Sequence, residues 1–377
     1  MNYPTYKLGE ICGIVYGKGL PTKNLKPKGF PVFGANGIIG YYDSFLYEEE
    51  QVLISCRGAY SGKINISPKQ CFITNNSLVI TPKEENKVNK KYLYYTLQAT
   101  NKTKLVTGTA QPQVTINNAE DLQIPLPPLA TQHAIETRIE TLFAELDKAV
   151  QHLRTAQQQL KTYRQAVLNH WLNNDEGKWE MVKLGDVADA IDPEPSHRTP
   201  KIQKDGIPFV SIKDCDYITN TINLKNARLV SKDVLKEHKE RYSIKEGDFI
   251  IGKIGTIGNP VNVILPQEYA LSANVVLIQP TDKINAKFLY NTFRSNIVDK
   301  QLFDGKKATT QAAFGIKKVR LIEIPLPPLA EQQRIVKEIE SRLSQATASE
   351  TYLENALQQA EALRQSILKK AFSGELV

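Results

Sequence analysis

Two stretches of the chain place apolar or small residues at alternating steps of three and four, which is the heptad spacing of a coiled coil. The first runs from Ile135 to Val167, and adding 200 to each position gives the second, from Ile335 to Ile367, with a poorer apolar stripe. We therefore predict two long helices that pair along these stripes. The expected seam includes Ile139, Leu146, Leu153, Leu160, Ile339, Leu353, Leu363 and Ile367.

The sequence IPLPPLA precedes both stripes, at 124–130 and again at 324–330. Its paired prolines favour extended backbone before them and cannot donate the hydrogen bonds of a helix interior. Each helix should therefore begin at or just after its prolines. A helix from Leu129 to about Leu172 would be roughly 65 Å long at 1.5 Å per residue. With one apolar stripe it needs a partner, and the other copy is the obvious one.

The segments between the helices repeat as well. Lys7-Leu8-Gly9-Glu10 corresponds to Lys183-Leu184-Gly185-Asp186, and Asn76–Pro82 corresponds to Asn274–Pro280. Short β runs broken by glycine and proline, each followed by one short helix, predict an α+β domain with a mostly antiparallel, curved sheet. The predicted short helices span 89–100 and 285–296.

We therefore predict two similar globular α+β domains separated by an antiparallel coiled coil, with a pseudo-twofold internal repeat. Antiparallel pairing is expected because helix 1 ends, and helix 2 begins, at the same globular domain. The predicted segments are domain 1, helix 1, domain 2 and helix 2, at residues 1–128, 129–177, 178–328 and 329–377.

Charge is distributed unevenly along the chain. Residues 1–128 contain 14 Lys and Arg against 9 Asp and Glu, and residues 178–328 contain 23 against 18. The helix segments carry a slight negative excess, so the surplus of the chain's net +8 lies in the two domains. Two basic domains suit a polyanion held at two places, although many basic proteins bind no polyanion.

Composition argues against several other classes. The four cysteines are far apart and lack a Cys-x-x-Cys pair, so we expect a reduced, cytoplasmic protein without structural zinc. No signal peptide and no membrane span are expected. The five histidines are scattered, and the glycine-rich run 33–40 lacks the spacing and following helix of a dinucleotide site. We expect no catalytic or metal site and no cofactor in this chain.

The chemistry that does recur is that of base-edge and phosphate recognition. Arginine and lysine suit guanine and phosphate, whereas asparagine and glutamine suit adenine. Glycine-containing turns and a threonine-glutamine segment carry such residues in both domains. The candidate DNA contacts are Asn36, Arg57, Tyr60, Ser61, Lys63, Asn75, Asn76, Thr109 and Gln111 in the first domain, and Lys253, Thr256, Asn274, Lys306, Lys307, Thr309 and Gln311 in the second.

Three features together resemble the DNA-specificity subunit of type I restriction-modification systems along the whole chain. The first is the twin IPLPPLA followed by Thr131-Gln132 and by Glu331-Gln332-Gln333. The second is the ending LRQSILKKAFSGELV at 363–377, and the third is Trp179-Glu180 before Lys183-Leu184-Gly185. The run 33–43 also looks like a target-recognition-domain signature. One departure is that helix 1 ends in NHWLNND, so the central repeat is degenerate.

The resemblance implies two target recognition domains, each reading one half of a split site in double-stranded DNA. It also implies two modification subunits docked on the coiled coil, which would carry S-adenosylmethionine and methylate adenine, and restriction subunits that can join them. In that scheme the chain itself is not an enzyme.

Two other readings stay open from the residues alone. The chain can be an interaction scaffold whose end domains bind proteins or glycans; a module of a larger single-chain enzyme is disfavoured, because we expect residues 1–377 to be complete. A steep loss of duplex binding with rising salt would favour DNA recognition over the scaffold.

Overall fold

The structure is a computed structural model, and it describes residues 3–102, 105–108, 111–174, 177–197, 199–217, 219–253, 258–306 and 315–376, with side chains of 303–306 left aside. It forms two compact units. The first comprises Met1–Arg154 with Glu354–Val377, and the second comprises Thr155–Leu353. Each long helix therefore contributes one end to each unit.

The first unit has a small α+β domain. Its strands are β1 (Thr5–Lys7), β2 (Cys12–Tyr16), β3 (Phe30–Phe33), β4 (Ile38–Tyr42), β5 (Val52–Ser55), β6 (Ile64–Ile66), β7 (Phe72–Ile73), β8 (Ser77–Pro82) and β9 (Gln123–Pro125). Its helices are α1 (Leu8–Ile11), α2 (Lys90–Ala99), α3 (Ile116–Glu120) and the start of α4 (Leu129–Leu172). One sheet has the order β2-β8-β5-β6 and another the order β4-β3-β7, while β1 pairs with β9.

The second unit repeats this plan. Its strands are β10 (Met181–Lys183), β11 (Ala188–Ile191), β12 (Ile207–Val210), β13 (Cys215–Asp216), β14 (Thr221–Ile222), β15 (Arg228–Val230), β16 (Phe249–Gly252), β17 (Val261–Asn262), β18 (Ala270–Leu271), β19 (Val275–Pro280) and β20 (Glu323–Pro325). Its helices are α5 (Lys232–Arg241), α6 (Ala286–Phe293), α7 (Asn296–Lys306), α8 (Ile316–Arg320) and the start of α9 (Leu329–Ser373).

The four-stranded and three-stranded sheets of the two units correspond, and the second unit has one additional strand pair, β13 with β14. The order β11-β19-β16-β17 repeats β2-β8-β5-β6, and β15-β12-β18 repeats β4-β3-β7. In both three-stranded sheets the last pairing is parallel. The prediction of one α+β fold used twice is therefore confirmed. The expected single curved sheet is wrong, because each domain divides its strands between a four-stranded sheet, a three-stranded sheet and short strand pairs.

A buried glutamine fastens each long helix to its domain. The side chain of Gln132 has no exposed surface. Its Nε2 donates to the Lys87 and Pro127 carbonyl oxygens, both at 2.8 Å, and its Oε1 accepts from the Asn89 amide at 2.9 Å. Because Asn89 is the N-cap of α2, this one side chain joins two helix starts.

The second unit repeats the device. Gln332 is equally buried, donates to the Pro327 carbonyl at 2.7 Å and accepts from the amide of Asn285, the N-cap of α6, at 2.7 Å. The helices α2 and α6 lie within the predicted short segments, whereas α5 and α7 were not predicted.

The long helices begin at Leu129 and Leu329, as the prolines predict, and are 44 and 45 residues long. In the first unit, Ile139 and Leu146 near the start of α4 share a hydrophobic cluster with Ile367 and Leu368 near the end of α9. In the second unit, the end of α4 and the start of α9 likewise share a cluster. Within each unit the helices therefore run antiparallel, as predicted.

Four of the eight predicted seam positions are buried in the structure. Ile139, Leu146, Ile339 and Ile367 are buried, and Leu153, Leu160 and Leu353 are half-buried. Leu363 is wrong, because it is 50% exposed. The next residue, Arg364, faces α4 instead. Its guanidinium lies 4.4 Å from the centroid of the Phe143 ring and pairs with Asp147.

Candidate nucleic-acid interface

Four loops of the first domain meet at one end of its sheets. We call residues 34–37, 56–63, 74–76 and 111–113 the sheet-end loops. The hydroxyls of Ser55 and Ser77, which are fully buried, donate to the carbonyl oxygens of Ala35 and Gly34, the latter at 2.9 Å. The turn at 34–37 is thus fixed by hydrogen bonds from side chains of β5 and β8, and Asn36 lies at its tip.

Backbone contacts join the other sheet-end loops into one surface. The Cys56 amide donates to the Asn76 carbonyl at 2.9 Å, and the Gly58 amide donates to the Pro112 carbonyl at 3.2 Å. The Ser61 hydroxyl also donates to Pro112, at 2.7 Å. The two contacts to Pro112 join residues that are more than fifty positions apart in sequence.

The side chains on this surface are polar and accessible. Arg57, Lys63 and Gln111 are exposed, and Tyr60 is 53% exposed with the Lys63 Nζ 5.8 Å from its ring centroid. Asn36, Ser61, Asn75 and Asn76 are half-buried in the same loops. The structure thus brings together all the first-domain candidates except Thr109, which lies outside the described residues.

The second domain has the same loop frame. The Ser272 amide donates to the Val210 carbonyl at 2.8 Å, as the Thr74 amide donates to the Phe33 carbonyl at 3.0 Å. The Lys253 amide donates to the Asn274 carbonyl at 2.9 Å, as Cys56 does to Asn76. Asn274 is exposed at the position equivalent to Asn76.

Lys253 is not at the surface. It is 6% exposed, and its Nζ pairs with the Asp192 carboxylate at 2.6 Å. The physical reason is register: Lys253 occupies the position of the buried Cys56, not that of Arg57, and successive strand residues point to opposite faces. Lys306 ends α7, with its side chain outside the description. Thr256, Lys307, Thr309 and Gln311 also lie outside the described residues.

A groove of about 360 Å³ beside Asn274 contains cations that the sequence analysis missed. It is lined by His197, Thr199, Phe209, Ser211, Ile212, Lys213, Arg228, Ser272, Ala273 and Asn274. Lys213 and Arg228 lie in the part of the second domain that differs most from the first. That divergence was the available signal, because the two copies share a framework and differ in the side chains that they place on it.

A buried network holds the wall of this groove. His238 is fully buried, with Nδ1 2.8 Å from the Tyr242 hydroxyl and Nε2 3.2 Å from the Glu194 carboxylate. Burial lowers the pKa of His238 below its ordinary value. Burial alone would raise the pKa of Glu194, but hydrogen bonds from Ser196 and His238 and the charge of Arg241 hold it below its usual range. A neutral His238 donating from Nε2 to the Glu194 carboxylate fits both directions.

We expect this network to make the second domain less stable in acid. The unfolded chain protonates His238 near pH 6.5, whereas the folded chain resists protonation, so the free energy of unfolding should fall as the pH drops below about 6.5. Urea unfolding between pH 8 and 5 measures this slope through Trp171 and Trp179, the two tryptophans of the chain, which both lie in the second unit.

His238→Gln should reduce the dependence of the unfolding free energy on pH. His197→Asn, which replaces an exposed histidine, should retain that dependence. Equal slopes in the wild type and His238→Gln would contradict the assignment.

Within the described residues, no group of three or more His, Cys, Asp or Glu is placed to hold a metal ion. The described cysteines are free thiols. Over the same residues, no helix is both long and apolar enough to span a membrane.

Each unit thus contains one copy of the same α+β domain, with polar loops at the equivalent ends of its sheets. The chain belongs to the family of type I restriction modification DNA specificity domains, whose family model matches residues 2–153 and 176–359. Its curated relatives include proteins named as type I restriction enzyme specificity subunits.

Two relatives and two solved structures show the extent of the likeness. The EcoBI specificity subunit of Escherichia coli is 26% identical over 332 residues, covering 78% of this chain and 67% of that protein. The E. coli EcoDI specificity subunit is 24% identical over 409 aligned residues, covering 100% and 89%. The HsdS subunit of Thermoanaerobacter tengcongensis shares the fold with a TM-score of 0.57 and 20% identity, covering 100% of this chain and 97% of that one. A chain from a study of type I R-M complex assembly has a TM-score of 0.72 at 20% identity, covering 100% and 98%.

Proposed function

We propose that the chain recognises a bipartite site in double-stranded DNA, with one half-site read by each domain. It would direct two adenine methyltransferase subunits, and restriction subunits where they are present, to that site. The observation that carries the proposal is the matched loop frame: equivalent strands of both domains end in polar loops joined by equivalent backbone hydrogen bonds. Two copies of one frame with different side chains suit two different half-sites.

The side chains on the frame have the chemistry that DNA recognition requires. In the first domain, exposed Arg57 and Lys63 would contact guanine edges or phosphates, and Asn36, Asn76 and Gln111 would contact adenine. In the second domain, Asn274 lies beside a groove that contains Lys213 and Arg228. We no longer propose Lys253 as a DNA contact, because it is buried; its ion pair with Asp192 instead supports the loop.

The partners would dock along the outer faces of the long helices. Tyr163 and Leu363 occupy equivalent positions in α4 and α9, and both lie outside the helix seams, 40% and 50% exposed. Exposed apolar side chains at repeated positions suit a partner that binds twice. S-adenosylmethionine would be bound by the methyltransferase subunits and not by this chain. The assembly would act in the cytoplasm, where the thiols stay reduced.

The direct test is to map methylated adenines in DNA from cells that carry this chain with its modification partner. We expect a split motif with a fixed gap. An uninterrupted motif, or methylation that does not depend on this chain, would contradict the proposal.

Arg57→Gln should weaken binding to the mapped site about 10- to 100-fold, which corresponds to the 1–3 kcal/mol of a good guanine contact. Fluorescence anisotropy with the mapped duplex at several salt concentrations measures this. If Arg57 contacts a base, specificity relaxes at one position; if it contacts a phosphate, affinity falls on all sequences and the salt slope falls by about one.

Lys69→Gln is the matched control, because Lys69 is an exposed cation of the same domain that pairs with Glu49. It should bind like the wild type. Unchanged affinity in Arg57→Gln, or wild-type binding that is insensitive to salt, would favour the scaffold reading instead.

A further inference from the structure

A cleft of about 400 Å³ in the second unit lies away from the loops at Lys253 and Asn274. It is formed by α6, the end of α4, the start of α9 and the turn at Gly247. Gly247 lies two residues before β16 begins at Phe249, whereas Lys253 and the Asn274 loop lie at the opposite end of that strand. The cleft is therefore separate from the surface proposed to read DNA.

Three cations line the cleft, and two of them are paired. Lys287 pairs with Glu340 at 2.7 Å, and Arg164 pairs with Glu350 at 2.8 Å. Arg294 is partly buried; it donates to the Asn291 side chain at 3.4 Å and lies 5.7 Å from the Tyr290 ring centroid. Across the described part of the chain, no carboxylate lies within ion-pair distance of Arg294.

Burial of Arg294 without a counter-charge is unfavourable. Desolvation lowers the pKa of its guanidinium below the usual range; Tyr290 opposes this shift, and the neighbouring charge of Arg164 adds to it. An unpaired buried charge costs stability, and a bound anion would offset that cost.

The equivalent positions in the first unit carry different side chains. By the sequence repeat, Tyr95, Gln98 and Phe143 are the counterparts of Asn291, Arg294 and Leu343. The rings of Tyr95 and Phe143 pack edge to face with their centroids 5.8 Å apart, and Gln98 donates to the Tyr94 hydroxyl at 2.7 Å. One copy thus packs aromatic rings at this place, while the other has smaller side chains, an open cleft and an added cation.

We propose that the cleft of the second unit binds the phosphate group of a small soluble compound, with Arg294 as its principal ligand and Arg164, which also pairs with Glu350, as a second donor. A guanidinium presents parallel N–H donors that match two phosphate oxygens, so two arginines around one small cleft suit this anion. Asn291 and Ser344, which also line the cleft, supply further hydrogen-bonding groups.

The test uses the full chain, inorganic phosphate as the probe and sodium chloride at equal ionic strength as the reference. Phosphate should raise the unfolding temperature reported by the two tryptophans of the second unit. Arg294→Gln copies the residue of the first unit and should weaken phosphate binding at least tenfold in calorimetry. It should also raise the unfolding temperature in the absence of phosphate, because an unpaired charge is removed.

Leu343→Phe, which copies Phe143, should block the cleft and abolish the phosphate response. Lys239→Gln removes an exposed cation of the same unit and should respond like the wild type. A wild-type response no greater than that to chloride, or equal responses in Arg294→Gln and Lys239→Gln, would overturn the proposal.

A second arm distinguishes a small phosphate compound from the DNA backbone. Arg294→Gln should leave duplex affinity unchanged, and Arg57→Gln should leave the phosphate response unchanged. If Arg294→Gln weakens duplex binding as much as Arg57→Gln does, the cleft is a DNA contact and the small-molecule assignment is wrong. Failure of the DNA-reading proposal alone would leave the phosphate response intact.

Discussion

Gln332→Ala is expected to lower the free energy of unfolding of the second unit by about 2 to 5 kcal/mol, since an unsatisfied buried polar group costs about 1 to 3 kcal/mol. The substitution leaves the Pro327 carbonyl and the Asn285 amide without the partners that now lie at 2.7 Å. It also disconnects the start of α9 from the cap of α6. Urea denaturation followed by tryptophan fluorescence measures the loss.

Gln333→Ala is the control, because Gln333 is the next residue and is exposed. Its unfolding free energy should stay within about 0.5 kcal/mol of the wild type, as is usual for surface substitutions. Gln132→Ala should produce a loss in the first unit at least as large, because Gln132 satisfies three backbone groups instead of two. A loss below about 1 kcal/mol in Gln332→Ala would show that water replaces the side chain.

The glutamines illustrate where sequence reasoning stops. Their place after IPLPPLA was visible and contributed to the family resemblance, but their role was not. It depends on Asn89 and Asn285, which lie more than forty residues earlier. A buried amide that satisfies distant backbone groups leaves no periodic signal in its own segment.

The helices were the most predictable part of the fold, since prolines fix their starts and the apolar stripe fixes their facing side. The heptad pattern nevertheless allowed two adjacent residues at every second seam position. Residues 142 and 143 are both apolar, and so are 149 and 150, so a seam through either fits the spacing. Phe143 and Val150 pack inward, and Arg364 packs where an apolar Leu363 was expected, because its guanidinium stacks on Phe143 and pairs with Asp147.

The sequence indicated the candidate loops, but it did not indicate for every side chain whether it reaches their surface. Loops at strand ends could be read from glycines and from the repeat between the two halves. The inward turn of Lys253 could not, because it depends on a one-residue register and on Asp192, which is 61 positions away. Arg228 was missed for the related reason that it begins a strand and reaches the groove from outside the repeated loops.

Lengthening both long helices is expected to change which DNA site is used, provided that the proposed function holds. Three heptads inserted into each of α4 and α9 would preserve the seam and add about 31 Å, at 1.5 Å per residue. That is close to one turn of B-DNA, about 34 Å, so both half-sites would again face the protein with a gap longer by about 9 base pairs. Methylation mapping should show the wild-type half-sites with this longer gap and no modification at the original spacing.

A single heptad is the informative contrast, because it adds about 10 Å, or about 3 base pairs, and rotates one half-site by about a third of a turn. We expect that variant to fold and to lose methylation at the wild-type site. Three heptads inserted into α4 alone should fail to fold stably, since the seam of α9 would no longer match. If the variant with both helices lengthened still modifies the original site, the helices do not set the distance between the half-sites, and another element must hold the two domains at their spacing.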